Sequence, residues 1–433
     1  MWESPRTALA ALAALALTVG VAGCAGPGGT ETADDTRDET TAEEPAPPLA
    51  FAPEPAFELD TGPGEDRPAV LHEQSVFVAD EGGVSVFDTA TGDRTARADT
   101  EHTPLNEPWT VAEADPGQLS EAEAAELEAR AASRAPVGRP TVAHQDAAPA
   151  VLTAHAVRSG EGESGPYALE VIALDAADGQ VLWRHLVELP DWDTDDGALS
   201  ATVEAVHEQT AALRLMGDRM MTGALAIDTR SGRTLWHDDR FVIMGADGDT
   251  LAGVLFTEDA QVFQGIGITD AGQRWSTTLD APLMTTTTVG PYVNVEGQGD
   301  SPRLLRSGTG EAAPATEDGL TEQTRCMEDA SATVVVCAGP DEGALALDSS
   351  TGQQLWRLPA DTSATWTGTP TAAYGDLMYV SSEDATVVID PATGALVHDD
   401  AGTAPDAVSS SAALVWDEGS RNLSVHHPAD PVS

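Results

Sequence analysis

The chain contains no lysine; all 21 of its basic residues are arginine. That absence excludes Schiff-base chemistry, the P-loop lysine and a lysine general base together. Positive charge is scarce altogether. Against 72 acidic residues in 433 it leaves a formal net charge of -51. A surface of that sign repels a phosphate backbone, so nucleic acid is not an expected partner, and the acid excess reads as a solvated exterior. Cysteine is nearly absent too: there are three, none adjacent to another, and no Cys-x-x-Cys-His haem attachment occurs. There is no Gly-x-Ser-x-Gly nucleophile elbow. The ten histidines lack zinc-ligand spacing, and His426-His427 reads as a loop pair. The run GIGITDAG (Gly265–Gly272) has the wrong spacing for a dinucleotide fingerprint and does not open a helix.

What is present begins with an address. Arg6 is followed by the apolar stretch TALAALAALALTVG (Thr7–Gly20), too short for a membrane span, which needs about 20 residues, and suited to a signal-peptide core. It ends in Val21-Ala22-Gly23-Cys24, which resembles the bacterial lipobox. The resemblance implies a signal peptide over 1–23 and a diacylated Cys24 as the mature N-terminus. Such a protein is tethered to the extracytoplasmic face of the bacterial cell membrane without spanning it. Residues 24–66 are rich in Gly, Pro, Thr, Asp and Glu. They bury too little apolar surface to offset their ordering entropy and read as an extended linker. If Cys24 is acylated, Cys326 and Cys337 remain. Outside the cytoplasm the expectation is a disulfide, worth about 3 kcal/mol for a loop of this size; two buried thiols are the alternative.

The rest of the chain repeats itself. VIALDAADGQVLW (Val171–Trp183), LAIDTRSGRTLW (Leu225–Trp236) and LALDSSTGQQLW (Leu345–Trp356) share one pattern. Partial copies place Asp88, Asp270, Arg306 and Asp390 in series, with His427 in a last remnant. Asp228 to Asp270 and Asp348 to Asp390 are each about 42 residues apart, a period of propellers and helical arrays. Short Val/Leu/Ile runs bounded by Gly and Asp favour strands. In each turn, the carboxylate of Asp88, Asp175, Asp228, Asp348 or Asp390 is suited to accept backbone N–H bonds. Gly92, Gly179, Gly232, Gly352 and Gly394 supply positive φ. Trp183, Trp236, Trp275 and Trp356 each bury roughly 200 Å2 against a neighbour. These residues are expected to be structural, because they recur.

The pattern apolar-x-apolar-Asp-x-x-Thr-Gly-x-x-x-Trp resembles the quinoprotein-like β-propeller repeat of the pyrroloquinoline-quinone dehydrogenases. The resemblance implies an all-β propeller over 67–433, of about eight four-stranded blades, with seven possible. Ala56–Gly62 is a candidate closing strand for the last blade. Asp88 to Asp175 is about twice the period. The Ala/Glu-rich stretch Leu119–Arg134, with Ser120 and Glu123 as a capping box, predicts a helical insertion on a loop, within about 104–140, rather than a lost blade.

The family's enzymes hold their quinone against a pair of adjacent cysteines and ligate calcium. This chain has no such pair, so no enzyme activity, cofactor or metal is expected. Asp191, Asp193 and Asp195 resemble a calcium loop but lack its final Glu, Thr202 standing there; a solvated loop is the alternative. Lipobox, repeats and missing cofactor residues together resemble the lipoprotein branch of the family, whose type member serves the outer-membrane barrel-assembly machinery. The Arg-only, Ala-rich composition is actinobacterium-like. The expected function is a monomeric, non-catalytic envelope scaffold for protein partners. The alternatives are a small-molecule-binding or sensing envelope protein and a quinone-dependent dehydrogenase.

Overall fold

Runs of alternating branched and small residues, cut every few positions by Gly, Asp or Thr, form short antiparallel strands. The computed structural model describes residues 47–59, 68–105, 137–145, 148–160, 165–189, 199–217, 222–257, 261–278, 283–297, 303–314, 324–339, 343–359, 366–382, 385–417 and 422–429. Strand β1 (Phe57–Leu59) precedes the first complete sheet. Blade 1 is β2 (Ala69–His72), β3 (Ser75–Asp80), β4 (Gly83–Asp88) and β5 (Arg94–Asp99). Blade 2 holds β6 (Thr103–Pro104), β7 (Thr141–Gln145), β8 (Ala148–Arg158), β9 (Tyr167–Asp175) and β10 (Val181–Glu188). Blade 3 is β11 (Leu199–His207), β12 (Thr210–Gly217), β13 (Thr222–Asp228) and β14 (Thr234–Asp238). Blade 4 is β15 (Phe241–Asp247), β16 (Thr250–Phe256), β17 (Gln261–Gly267) and β18 (Gln273–Thr278).

Blade 5 has three strands: β19 (Leu283–Val289), β20 (Tyr292–Gly297) and β21 (Arg303–Arg306). Blade 6 is β22 (Arg325–Glu328), β23 (Val334–Ala338), β24 (Ala344–Asp348) and β25 (Gln354–Leu358). Blade 7 is β26 (Thr369–Tyr374), β27 (Leu377–Ser381), β28 (Thr386–Ile389) and β29 (Leu396–His398). Blade 8 is β30 (Ala407–Val408), β31 (Ala413–Asp417) and β32 (Asn422–His426), completed by β1.

The fold is therefore an eight-bladed propeller, and no helix occurs among the described residues. The core confirms the count. Buried apolar residues fall into eight clusters, each joining two successive blades. Strand period explains this: in β23, Val334 and Val336 face blade 7 while Val335 and Cys337 face blade 5. The eighth cluster packs Leu414, Leu423 and Val425 of blade 8 on Val76 and Val78 of blade 1, which closes the ring.

The folded ring begins before residue 67. Phe57 pairs with Val425 and Leu59 with Leu423, so β1 is the outer strand of blade 8. Ahead of it, Phe51 is buried among Tyr379, Ala401 and Ala413, and its N–H donates to the Ala401 carbonyl at 3.0 Å. His426 lies in this closure as a buried member of β32, not in a loop. Its Nδ1 is 2.8 Å from the Ala52 carbonyl and its Nε2 is 2.9 Å from the Ser424 hydroxyl.

Residues 106–136 lie outside the described residues, and with them the expected helix. The position of the insertion is described, and it is not on a loop between strands. Pro104 of β6 pairs with Val157 and Thr141 of β7 with Leu152, so both pair with β8 and together make the innermost strand of blade 2. The extra sequence interrupts that strand.

Candidate functional site

In seven of the eight blades the third strand runs into a tight corner, which in five of them is built on an Asp; blade 8, whose outer strand is β1, has none. At Asp88 the carboxylate accepts the N–H groups of Ala90 (2.8 Å) and Thr91 (2.9 Å), and the Gly92 N–H donates to the Asp88 carbonyl. Asp228 holds Ser231, Asp348 holds Ser350 and Thr351, and Asp390 holds Ala392 and Thr393 in the same way. Asp175 takes the Ala177 N–H at 2.8 Å. These donors favour the anion. The Thr91 N–H beside Asp88, the Ser231 hydroxyl beside Asp228 and the Ser350 hydroxyl beside Asp348 hold those carboxyls below their ordinary range. Gly92, Gly179, Gly232, Gly352 and Gly394 all have φ between 67° and 75°. Blade 4 corrects the sequence alignment. Gly267, not Asp270, occupies the corner, because its N–H donates to the Gly272 carbonyl as Asp228 N–H does to Arg233. Asp270 stands in the Ser/Thr place and binds the Gly272 N–H.

The corner also receives the neighbouring blade. The carbonyl one residue past the corner accepts a side-chain donor from the preceding blade. Trp236 Nε1 donates to Ile268 (2.8 Å), Trp275 Nε1 to Ser307 (2.9 Å) and Trp356 Nε1 to Pro391 (2.8 Å). In blade 2 the donor is His185, 2.9 Å from the Thr229 carbonyl, and Trp183 stacks on it with ring centroids 4.6 Å apart. His427 reaches the Thr89 carbonyl at 2.7 Å across the ring closure. The corner glycine lies beneath the ring: a Cβ on Gly310 would sit 2.5 Å from Trp275, one on Gly394 3.0 Å from Trp356, and one on Gly92 2.9 Å from Phe57. The glycine thus serves two needs, positive φ and a bare surface for the ring.

A bulge aims these rings. Register shifts in the outer strands leave Thr95, Leu182, Leu235, Arg274, Leu355 and Val397 without a partner. Each extra residue turns the following one toward the next blade.

Blade 5 departs from this plan at three positions. Arg306 replaces the corner Asp; its Nε is 2.8 Å from Asp247 of blade 4, and its NH1 donates to the Ser350 carbonyl of blade 6. Bonding to Asp247 raises the Arg306 pKa above its ordinary value. The outer strand is reduced to Glu311–Ala313, with Ala312 bridged to Leu305 and the Ala313 N–H donating to Leu304. Pro314 stands where Trp356 stands in blade 6; lacking an N–H, it cannot extend the ladder. The Ser349 carbonyl, left without an indole, takes the Tyr292 hydroxyl at 3.1 Å instead. Above these residues lies a cleft of about 510 Å3, lined by Asp247, Asp249, Tyr292, Arg306, Glu311 and Pro314 among others. We take this cleft as the candidate functional site.

A second polar cluster lies between blades 1 and 2. The buried Glu170 carboxylate accepts the N–H groups of Glu101 and His102, His102 Nδ1 at 3.0 Å and Arg184 NH1 at 2.8 Å. Burial alone raises its pKa, but these donors outweigh burial and lower it. Burial pulls neighbouring His155 down to about 4, so its ring is neutral. With Glu170 fully served by its own chain, the cluster fixes the entry to the split inner strand.

Cys326 and Cys337 are cross-strand partners in β22 and β23 and are joined as a disulfide. Cys337 is buried between blades 5 and 6. The quinone of the enzymes sharing this repeat lies against adjacent cysteines, and these two, on different strands, do not fit it. Among the described residues no three His, Cys, Asp or Glu converge as a metal site requires. Asp191, Asp193 and Asp195, and Cys24 with the whole linker before residue 47, lie outside the described residues.

The chain matches the family model described as outer membrane protein assembly factor BamB over residues 55–240 and 329–428. The intervening 241–328 holds blades 4 and 5 and β22. No curated protein matches the chain. It is similar to the crystal structure of BamB from Moraxella catarrhalis, with 14% identity, TM-score 0.44, and coverage of 88% of this chain and 99% of that one. It is also similar to the computationally designed Ika8 protein, at 13% identity and TM-score 0.48, over 88% of this chain and 100% of that one. The quinohemoprotein alcohol dehydrogenase from Comamonas testosteroni matches at 12% identity and TM-score 0.43, over 88% and 77%.

Proposed function

We propose, from the premise that this chain belongs to the family of outer membrane protein assembly factor BamB, that it is a non-catalytic scaffold of the bacterial cell envelope whose ring holds partner proteins. The observation that carries this reading is on the perimeter. The outer-strand bulges project Leu182, Leu355 and Val397, which are 49%, 46% and 44% exposed. A bulge blunts an open strand edge against uncontrolled pairing. At three of the six bulges the residue held outward is an exposed aliphatic one, a foothold for contact with another protein. Acylation at Cys24 would keep the ring at the extracytoplasmic face, with the acidic linker as its spacer.

Photo-crosslinking groups placed at Leu182 and Leu355 in cells test the reading. Discrete protein adducts from the membrane fraction are expected, and their absence from a folded, correctly targeted protein sinks it. Cys24→Ser is expected to release the protein from membranes. Turnover in a dye-reduction assay with added quinone and calcium would instead establish an enzyme.

A further inference from the structure

The outer strands of the blades are sheet edges that ring closure leaves unpaired, and one of them is unlike the rest. Strand β10 of blade 2 has eight residues, whereas the outer strands β5, β14, β18, β25, β29 and β1 have six or fewer. Its bulge falls at its start, at Leu182, so Trp183 to Glu188 pairs with β9 without interruption. One bond fixes the direction of the backbone there. The Leu189 N–H donates to the Tyr167 carbonyl, and the register then turns Val187, His185 and Trp183 inward to β9 as well. Arg184, Leu186 and Glu188 alternate with them, so their N–H and C=O groups point out of the ring. Among the described residues no strand pairs with that edge. It carries exposed apolar side chains, Val181, Leu182 and Leu186, and no proline to block pairing. A long, straight edge of this kind is a template for another strand.

We infer that β10 is a docking edge to which a partner protein adds an extended strand, setting an aliphatic residue against Leu186 and an arginine or lysine against Glu188. This rests on the scaffold reading and names the chemistry of one docking point. Each outward residue offers one backbone donor and one acceptor, and this row selects a strand rather than a helix or a free ligand. Side chains add the selectivity. Trp183 and Val187 pack toward blade 3, and His185 bonds the Thr229 carbonyl there. The partner's side chains therefore meet the other face, where Leu186 stands exposed between Arg184 and Glu188. Arg184 is engaged by Glu170 and Glu101, and Glu101 and Glu188 are exposed. An acidic border favours a basic strand. It disfavours a second copy of this chain, whose net charge is -51.

A labelled cyclic β-hairpin peptide whose free strand reads Arg-Thr-Val-Thr-Thr tests this on the intact ring by anisotropy, with its Arg opposite Glu188 and its Val opposite Leu186. The same hairpin with Glu in place of Arg is expected to bind about tenfold more weakly. N-methylation of its Val removes a ladder donor and should abolish binding. In the complex, amide exchange at Leu186 and Glu188 should slow by about tenfold or more. Leu186→Pro deletes an outward N–H while sparing the bonds to β9, and it too should abolish binding. Glu188→Lys, on the exposed edge, should reverse the preference between the Arg and Glu hairpins and keeps the test open should Leu186→Pro not fold. Undiminished binding of the N-methylated hairpin, no binding by folded wild-type protein, or undiminished binding by a folded Leu186→Pro overturns the inference. So does slowed exchange confined to another blade, or dimerisation of the ring through β10, which would make the occupant a second copy. Crosslinks from Leu355 that persist when the hairpin fails leave the scaffold reading standing, which separates the two failures.

Discussion

Blades 5 and 6 are neighbours with the same hydrogen-bonded corner, and they are held to the ring in different ways. Blade 6 has Asp348 at its corner, a full outer strand, and Trp356 reaching into blade 7. Blade 5 has Arg306 at its corner, a fragment for an outer strand, and Tyr292 from its second strand making the bond to blade 6. The acceptor is the same backbone carbonyl in both. At that point different blades bring different donors: an indole, an imidazole or, in blade 5, a phenol. Where the donor comes from an inner strand, the outer strand is reduced to a fragment, and a cleft lies beside it.

The largest test of this contrast is Trp356→Ala. It removes an indole that bonds Pro391 and meets Trp366 edge-on at 6.0 Å. A loss of about 3–5 kcal/mol is expected in urea unfolding, against less than about 0.5 kcal/mol for Pro314→Ala in blade 5. Next, removing the blade 6 disulfide with Cys326→Ser and Cys337→Ala together should cost about 3 kcal/mol, and reductant should then have no further effect on the melt. Third, Gly394→Ala forces a side chain into positive φ and against the Trp356 ring. It should cost about 2 kcal/mol, whereas Gly352→Ala, facing only a hydroxyl and a methyl, should cost about 1 kcal/mol. Fourth, Pro314→Trp should stabilise the ring by about 1 kcal/mol, and no gain in a thermal melt would mean that blade 5 is already fully packed.

The smallest effect concerns acid. Hydrogen bonds from Ser350 and Thr351 lower the Asp348 pKa in the folded protein. Its contribution is thus present above the unfolded value of about 3.9 and is lost as pH falls through the lower folded value. Hydrogen exchange normalised for intrinsic rate should show the blade 6 corner loosening in acid. Asp348→Asn should flatten that response.

Much of this was legible in residues that act on their own surroundings. Asp348, Thr351 and Gly352 form a corner with atoms a few positions apart, so their spacing alone announced a turn, and the recurrence of Trp announced a packing partner. The reading slipped at Asp270, because an Asp in the Ser/Thr place of a Gly-cornered turn has nearly the same spelling. It also placed the insertion on a loop, because the pairing that makes β6 and β7 one strand runs through β8 and leaves no local trace. His185 and Tyr292 gave no signal as inter-blade donors. Arg306 and Pro314 were visible as departures from the repeat, and that is the signal from which the cleft could have been sought.

By itself, then, the sequence determined what lies within one repeat: strands, corners and the glycines beneath them, since a carboxylate and a positive φ satisfy backbone groups only a few residues away. It also pointed to about eight blades and to a closing strand within Ala56–Gly62, where β1 lies; the tertiary structure settled eight over seven and alone decided which side chain serves each carbonyl. Those choices depend on surfaces that meet only when successive blades stack, and at the closure on residues from opposite ends of the chain.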